Sequence, residues 1–163
     1  MKMLQPFLDD NINPEKKTAI LGVGSVLRAD DAAGMYFIEK LSAVVRDKNL
    51  LLMAGSTAPE NFTGVIKNFF PEMLIIIDAA QMNIPIGEVR ILEADEIGGM
   101  SFSTHMLPLP MMLSYLEHEV GCEVIFIGIQ PESTEQCMTM CEKVKEETER
   151  LVQAFANYYS KRK

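Results

Sequence analysis

Short apolar stretches of the sequence alternate with segments whose apolar residues recur at helical spacing. The apolar stretches have the length of buried strands and lie at 18–23, 49–54, 73–78 and 124–129. The segments with the spacing of amphipathic helices lie at 31–45, 59–70, 109–119 and 135–159. Strands that alternate with helices in this way predict a mostly parallel sheet that is covered by helices on both faces.

A further strand is predicted at residues 88–95, where apolar and charged residues alternate as they do in a half-exposed edge strand. The connection that leads to it is short and contains Asn83, Pro85 and Gly87, which favours antiparallel pairing. Right-handed crossovers from a central first strand then give the order 2-1-3-5-4, with strand 4 antiparallel. We therefore predict an α/β fold of three layers, α/β/α, around a mixed five-stranded sheet.

The chain has 163 residues, of which 48% are hydrophobic, and this suits one domain with a full core. Residues 1–17 are polar and contain Pro6 and Pro14, so we predict an N-terminal arm with one short helical turn, followed by a single domain at 18–163. No apolar run approaches the roughly 18 residues of a membrane span, and the N-terminus lacks the apolar core of a signal peptide. We expect a cytoplasmic protein.

The formal net charge of -8 argues against nucleic acid or an anionic membrane surface as a partner, because both require clustered Lys and Arg. We expect a monomer or a weak oligomer.

The cysteines, Cys122, Cys137 and Cys141, are an odd set without a secretory signal, so we expect no disulfide framework. Cys137 and Cys141 are four apart on the predicted last helix, where they are interpreted as ordinary helix residues because no further metal ligand lies near.

Candidate functional side chains fall where the predicted strands end. The first strand leads through a glycine turn to a loop that carries Asp30 and Asp31, Asp78 ends the third strand, and His105 follows a polar loop. The carboxyl ends of parallel strands meet at one edge of a sheet, where ligands bind. Two carboxylates and an imidazole suit a divalent metal such as nickel, zinc or iron. Taken singly, Asp31 is equally typical of an acid at the N-terminus of a helix, Asp78 of a loop cap and His105 of a packed histidine.

Other chemistries fit the sequence less well. Gly22-x-Gly24 lacks the third glycine of a dinucleotide fingerprint, because Leu27 stands there, and the adjacent acids would repel a pyrophosphate. No Gly-Lys-Ser/Thr follows that would make a phosphate-binding loop, and the sequence has no nucleophile elbow. His118 lies between two glutamates on a predicted helix, so we expect it on a solvated face. A generic binding domain for a small anion is disfavoured by the acids.

Several motifs occur in the order found in the nickel–iron hydrogenase maturation endopeptidases, which this chain resembles. They are G-V-G-S-V-L-R-A-D-D-A-A-G, G-S-T-A-P-E-N, I-I-I-D-A-A-Q-M, G-E-V-R-I-L, S-T-H-M-L-P-L and I-F-I-G-I-Q-P-E. The resemblance runs from about Thr18 to Glu132 and is greatest to the branch that processes hydrogenase 3, of the formate hydrogenlyase type. Ala29 and Ala32 stand where many members have glycine.

The resemblance implies an endopeptidase that removes the C-terminal extension of the hydrogenase large-subunit precursor after nickel insertion, recognising the bound nickel. It implies that Asp31, Asp78 and His105 contact the nickel and that Asp31 and Asp78 are catalytic. The nickel is expected to arrive on the precursor, and zinc or cadmium could substitute for it. Asp30 stays open as a general base, as a partner of a metal ligand or as a solvated neighbour. A non-catalytic nickel metallochaperone that binds the precursor is the alternative function.

Overall fold

The computed structural model describes residues 4–13, 15–92, 101–102, 109–136 and 138–160. Helices in these ranges are α1 (Leu4–Asn11), α2 (Ala33–Val44), α3 (Thr63–Phe69), α4 (Leu109–Val120) and α5 (Glu142–Ser160). Strands are β1 (Thr18–Val23), β2 (Leu50–Ser56), β3 (Met73–Gln81), β4 (Val89–Leu92), β5 (Ser101–Phe102) and β6 (Glu123–Ile129). Short 3-10 turns at Ala29–Ala32 and Pro59–Phe62 precede α2 and α3.

The main sheet has the strand order β2-β1-β3-β6-β4. Strands β1, β2, β3 and β6 are parallel, whereas β4 runs antiparallel to β6 at the edge. Since β6 is the fifth of the strands predicted from the sequence, the predicted order 2-1-3-5-4 is confirmed, as is the antiparallel edge strand. The short strand β5 was not predicted, because its two residues lie in a segment interpreted as a loop. It pairs antiparallel with the end of β3.

Side chains that alternate along the strands supply two separate cores, one on each face of the sheet. On one face Ile20, Ile75 and Ile77 pack with Phe37 of α2 and Phe155 of α5. On the other face the core is formed with α3 and α4 by side chains that include Leu21, Leu74, Ile76, Ile66 and Leu116. Because β1 and β3 are buried along nearly their whole length, both faces need helical cover. The three-layer prediction is confirmed.

Helix α1 packs against the end of α5. Leu8 and Ile12 are buried in the same cluster as Phe155, and the hydroxyl of Tyr158 donates a hydrogen bond to the carbonyl oxygen of Ile12. The division into an arm at 1–17 and a domain at 18–163 stays a prediction, but these two side chains are part of the core of the domain.

The last helix begins later than the sequence pattern indicates. The predicted range was 135–159, whereas α5 covers Glu142–Ser160, and the described residues among 135–141 are not helical. The physical reason is that backbone groups of this segment bind the Asp30 loop, since the N–H of Cys141 donates to Asp30 Oδ1 and the carbonyl oxygen of Met138 accepts the N–H of Ala29. Cys141 therefore precedes the helix, which corrects the prediction that it lies within it, and Cys137 lies outside the described residues. Within the ranges that the structure describes, no helix is both long and apolar enough to span a membrane.

Candidate active site

The loop between β1 and α2 is folded back on itself by the side chain of Asp31. The N–H of Ser25 donates a hydrogen bond to Asp31 Oδ2 at 2.8 Å. The N–H of Arg28 donates to the carbonyl oxygen of Ser25 at 3.1 Å, and that of Asp31 to the carbonyl oxygen of Arg28 at 2.9 Å. The carboxylate of Asp31 thus stabilises the turn that carries it, and the residue is completely buried.

Asp78 lies on β3 just beyond the point where β1 stops pairing with this strand. The paired residues of β1 and β3 end at Gly22 and Ile77, whereas Asp78 pairs with Gly128 of β6. Asp78 Oδ1 accepts a hydrogen bond from the N–H of Ala79 at 2.8 Å, and the residue is completely buried. Its carboxylate therefore lies just beyond the carboxyl end of β1. The prediction that Asp78 ends the third strand is corrected, because β3 continues to Gln81 through its pairing with β6 and β5.

Asp31 and Asp78 meet at Gly24, which has φ +122°. A Cβ atom on Gly24 would lie 1.8 Å from the carbonyl oxygen of Asp31 and 3.4 Å from Asp78 Oδ1. The backbone of one acid and the carboxylate of the other thus approach the same glycine from different parts of the chain. Only a residue without a side chain permits this approach.

The N-terminus of α2 lies directly on the ends of β1 and β3. A Cβ atom on Gly34, in the first turn of this helix, would lie 2.4 Å from the carbonyl oxygen of Val23 and 2.2 Å from that of Ile77. The positive end of the helix dipole is therefore close to the two buried acids. This is the topological switch point between β1 and β3, where ligands bind in open α/β sheets.

The arrangement of Asp31 and Asp78 is suited to a cation. Buried carboxylates are costly unless hydrogen bonds or opposite charges compensate them. An ionised carboxylate has about four acceptor positions, so accepting a backbone N–H does not prevent it from also binding a metal. The donor set of two acids fits a divalent ion with positions left open for other ligands.

Asp30 has a different environment from its neighbour. Its Oδ2 accepts hydrogen bonds from the N–H groups of Glu132 at 2.8 Å and Ser133 at 3.2 Å, and its Oδ1 accepts one from Cys141 at 2.7 Å. The residue is 1% exposed. Of the interpretations left open by the sequence, a solvated neighbour is therefore wrong. The carboxylate holds the loop that precedes α5 against the loop that carries Asp31.

His105 lies outside the described residues, so its predicted place beside Asp31 and Asp78 stays a prediction. Among the side chains that the structure describes, no three or more His, Cys, Asp and Glu residues form a group that could hold a metal ion. His118 is on α4 with 87% of its side chain exposed, which confirms that it is a surface residue.

The fold and the two buried carboxylates define an α/β protein with a candidate hydrolytic or cation-binding site at the switch point of its sheet. Comparisons with known proteins identify the family. The family model for the HycI hydrogenase maturation protease matches residues 35–158, a range that includes Asp78 and begins four residues after Asp31. The chain belongs to the hydrogenase maturation protease family, and it is a peptidase.

Individual relatives agree with this assignment. The hydrogenase 3 maturation protease of Escherichia coli K12 is 36% identical over 135 residues, which cover 82% of this chain and 85% of that protein. The crystal structure of the NiFe hydrogenase maturation protease HycI from Thermococcus kodakarensis KOD1 has a TM-score of 0.85 at 30% identity, covering 97% of this chain and 99% of that one. The solution structure of the endopeptidase HycI from Escherichia coli has a TM-score of 0.78 at 34% identity, with coverage of 87% and 90%. The predicted family and the predicted peptidase activity are confirmed.

Proposed function

We propose that this peptidase removes the C-terminal extension of the large-subunit precursor of a nickel–iron hydrogenase after nickel has been inserted. The names of its relatives, a hydrogenase 3 maturation protease and a NiFe hydrogenase maturation protease, support this substrate class. The observation that carries the proposal is that two completely buried acids lie on either side of the Gly24 turn. The carboxylate of Asp31 accepts the N–H of Ser25, the residue after Gly24, and Asp78 Oδ1 lies 3.4 Å from the position of a Cβ on Gly24.

In this proposal the nickel is part of the substrate and is bound by Asp31, Asp78 and His105, and zinc or cadmium can substitute for it. The short strand β5 supports the inclusion of His105. It places Phe102 opposite Ala80, two residues beyond Asp78, and His105 follows Phe102 by three positions. Three residues span at most about 11 Å, so the chain length permits the imidazole to reach the same edge of the sheet.

Binding through the metal would make cleavage depend on nickel insertion. A precursor without nickel would present no ion for Asp31 and Asp78 to bind, so it would lack this contact with the site. A divalent ion with open positions is also able to polarise the scissile carbonyl and to lower the pKa of a bound water. The reaction is proposed to occur in the cytoplasm, with a single chain supplying all three ligands.

The intact mass of a hydrogenase large-subunit precursor, nickel-loaded and nickel-free, tests the proposal after incubation with wild type, Asp31→Asn and Asp78→Asn. Asparagine is chosen because its amide oxygen still accepts the N–H of Ser25 or Ala79, so that the turn is kept while the charge is lost. We expect loss of the C-terminal fragment only from the nickel-loaded precursor, with both variants slowed by about 100-fold or more.

Asp10→Asn is the matched control, because Asp10 is an exposed carboxylate on α1. It should cleave at the wild-type rate. Equal cleavage of the nickel-free precursor would contradict recognition through nickel, and full activity of Asp31→Asn or Asp78→Asn would contradict their role as ligands.

A further inference from the structure

A groove with a cavity volume of about 550 Å³ lies beside the candidate active site. One wall is formed by α2 between Met35 and Ser42, which is about 10 Å of helix, and another by residues 138–140 of the loop before α5. Ala29 and Ala32, on either side of the two adjacent acids, also line it. The groove is therefore continuous with the loop that carries Asp31.

The lining of the groove is apolar and adaptable. Met35, Met138 and Met140 all contribute to it, and methionine side chains adjust their shape to irregular partners. Val26 is 66% exposed and Met138 is 51% exposed at its edge. Exposed apolar side chains that cluster beside a site are typical of surfaces that bind another protein.

The rim of the groove near Tyr36 is acidic. The hydroxyl of Tyr36 donates a hydrogen bond to Glu149 Oε1 at 2.6 Å. Burial raises the pKa of Tyr36 to about 12, together with this hydrogen bond and the negative charges of Glu149, Glu39 and Glu142. One ammonium, Lys40 Nζ, lies 4.9 Å from the ring centre and 3.4 Å from Glu39 Oε1. A second ammonium, Lys145 Nζ, lies 4.0 Å from Glu142 Oε1. Three carboxylates around Tyr36 thus face two ammoniums, and the negative charge that is left over favours a basic partner.

We propose that this groove binds the C-terminal extension of the precursor as an extended peptide. The apolar side chains of the extension would contact the three methionines of the groove, and a Lys or Arg of the extension would lie beside Glu39. The scissile bond would then be at the end of the groove next to Asp31. The inference rests on the proposed function, and it adds a binding surface for the peptide that is removed.

A bulky side chain on the solvent side of the groove tests the proposal without altering the acids. Ser42→Trp places an indole in the groove, whereas Ala43→Trp places it on the neighbouring exposed position of α2, outside the lining. With nickel-loaded precursor we expect Ser42→Trp to raise KM by about tenfold or more, because the peptide loses its contact area, and Ala43→Trp to stay within about twofold of wild type. Ala54→Phe, which enters the groove from β2, is a second blocking variant should Ser42→Trp unfold.

The charge of the rim has its own pair of variants. Glu39→Lys should raise KM for the same precursor by about tenfold, with a smaller effect at high salt, since the lost attraction is electrostatic and exposed. Glu117→Lys makes the same change of charge on α4, which covers the opposite face of the sheet, and should leave KM close to that of wild type.

A synthetic peptide with the sequence of the extension identifies the occupant. It should inhibit cleavage by wild type competitively and should inhibit the groove variants at about tenfold higher concentration. If wild type cleaves the precursor but the blocking variants keep the wild-type KM, or if the peptide does not compete, the groove proposal is wrong and the proposed function stands. If wild type leaves the nickel-loaded precursor intact, both proposals fail.

Discussion

The N–H of Cys141 donates a hydrogen bond of 2.7 Å to the carboxylate of Asp30, across 111 positions of sequence. Two further N–H groups, of Glu132 and Ser133, bind the same carboxylate. Backbone contacts reinforce this connection, since the N–H of Ala29 donates to the carbonyl oxygen of Met138 at 3.0 Å. The loop before α5, which forms one wall of the groove, is thus held by a residue adjacent to Asp31.

Replacement of Asp30 by asparagine should destabilise the protein by about 3 kcal/mol, since hydrogen bonds to a charged group contribute about 1.5–3 kcal/mol each. The amide oxygen of asparagine can keep the donors on one side, but its NH₂ group would face the remaining N–H. The free energy of unfolding, measured by urea denaturation monitored by circular dichroism, gives the value.

Asp47→Asn is the control for this change. Asp47 Oδ1 accepts a hydrogen bond from the N–H of Asn49 in a surface turn, a role that asparagine also performs. Its free energy of unfolding should stay within about 0.5 kcal/mol of wild type. Equal stabilities for Asp30→Asn and Asp47→Asn would show that the Asp30 contacts contribute nothing to the fold.

The part of the site that could be predicted follows from the order of the elements. Asp31 lies in the loop that follows the apolar strand β1, and Asp78 follows the apolar run of β3. The carboxyl ends of parallel strands meet at one edge, so their proximity was predictable. The role of Asp30 was not, because its partners lie more than 100 positions away and donate backbone groups that no sequence pattern reveals. The same non-local contacts explain why the start of α5 was misplaced.

The fold itself was predictable where side-chain patterns are long. The apolar run at 73–78 identified a central strand, which the structure extends to Gln81, and the alternation at 88–95 identified the edge strand, which covers Val89–Leu92. Strand β5 has two described residues, which pair with the end of β3, and so short a stretch carries no sequence pattern. The groove also escaped prediction, because Met138 and Met140 were assigned to a helix rather than to a loop beside the site.

Ala29 has φ +42°, in the left-handed region that alanine adopts at a cost of about 1–2 kcal/mol. Ala29→Gly removes this strain, but it also loses a buried methyl group and raises the conformational entropy of the unfolded chain. Each of these two losses destabilises the folded protein by about 0.8 kcal/mol. We therefore expect its free energy of unfolding to stay within about 1 kcal/mol of wild type. Ala29→Val should be destabilising by about 2 kcal/mol or more, because a β-branched residue is strained at positive φ.

Ala33→Gly makes the same substitution at a buried position with ordinary helical geometry, φ -58° and ψ -43°. Here no strain is relieved, so we expect a loss of about 1.5–2 kcal/mol from the helix propensity of glycine and the missing methyl. Should Ala29→Gly and Ala33→Gly lose the same stability in urea denaturation, the strain at Ala29 would be contradicted.

The phenol of Tyr36 should give a pH-dependent stability in alkaline solution. Its pKa is raised to about 12 in the folded state, first by burial and then by the hydrogen bond to Glu149, compared with about 10 in the unfolded chain. The folded protein therefore retains a proton that the unfolded chain releases between these values. The resulting stabilisation is complete below about pH 10 and is lost as the pH rises to about 12.

Comparison with Tyr36→Phe isolates this effect from the other groups that titrate in the same range. The difference in free energy of unfolding between wild type and Tyr36→Phe should shrink as the pH rises from about 10 to about 12. The phenolate absorbance of wild type minus that of the variant gives the titration directly. A midpoint near 10 in the folded protein would contradict the proximity of the carboxylates to this hydroxyl.

Gly24→Ala should disrupt the candidate site more than any exposed glycine replacement. The new Cβ would lie 1.8 Å from the carbonyl oxygen of Asp31, a backbone atom that cannot rotate away, and φ +122° is strained for alanine. We expect a loss of about 3 kcal/mol or more in the free energy of unfolding. Gly64→Ala is the matched control, since nothing lies within 4 Å of its Cβ position on α3, and there alanine should stabilise by about 0.5–1 kcal/mol.

Because Asp31 and Asp78 both approach Gly24, folded Gly24→Ala protein at low temperature should still cleave the nickel-loaded precursor more slowly than Gly64→Ala. Equal rates would mean that the two acids need not be held at this glycine for cleavage.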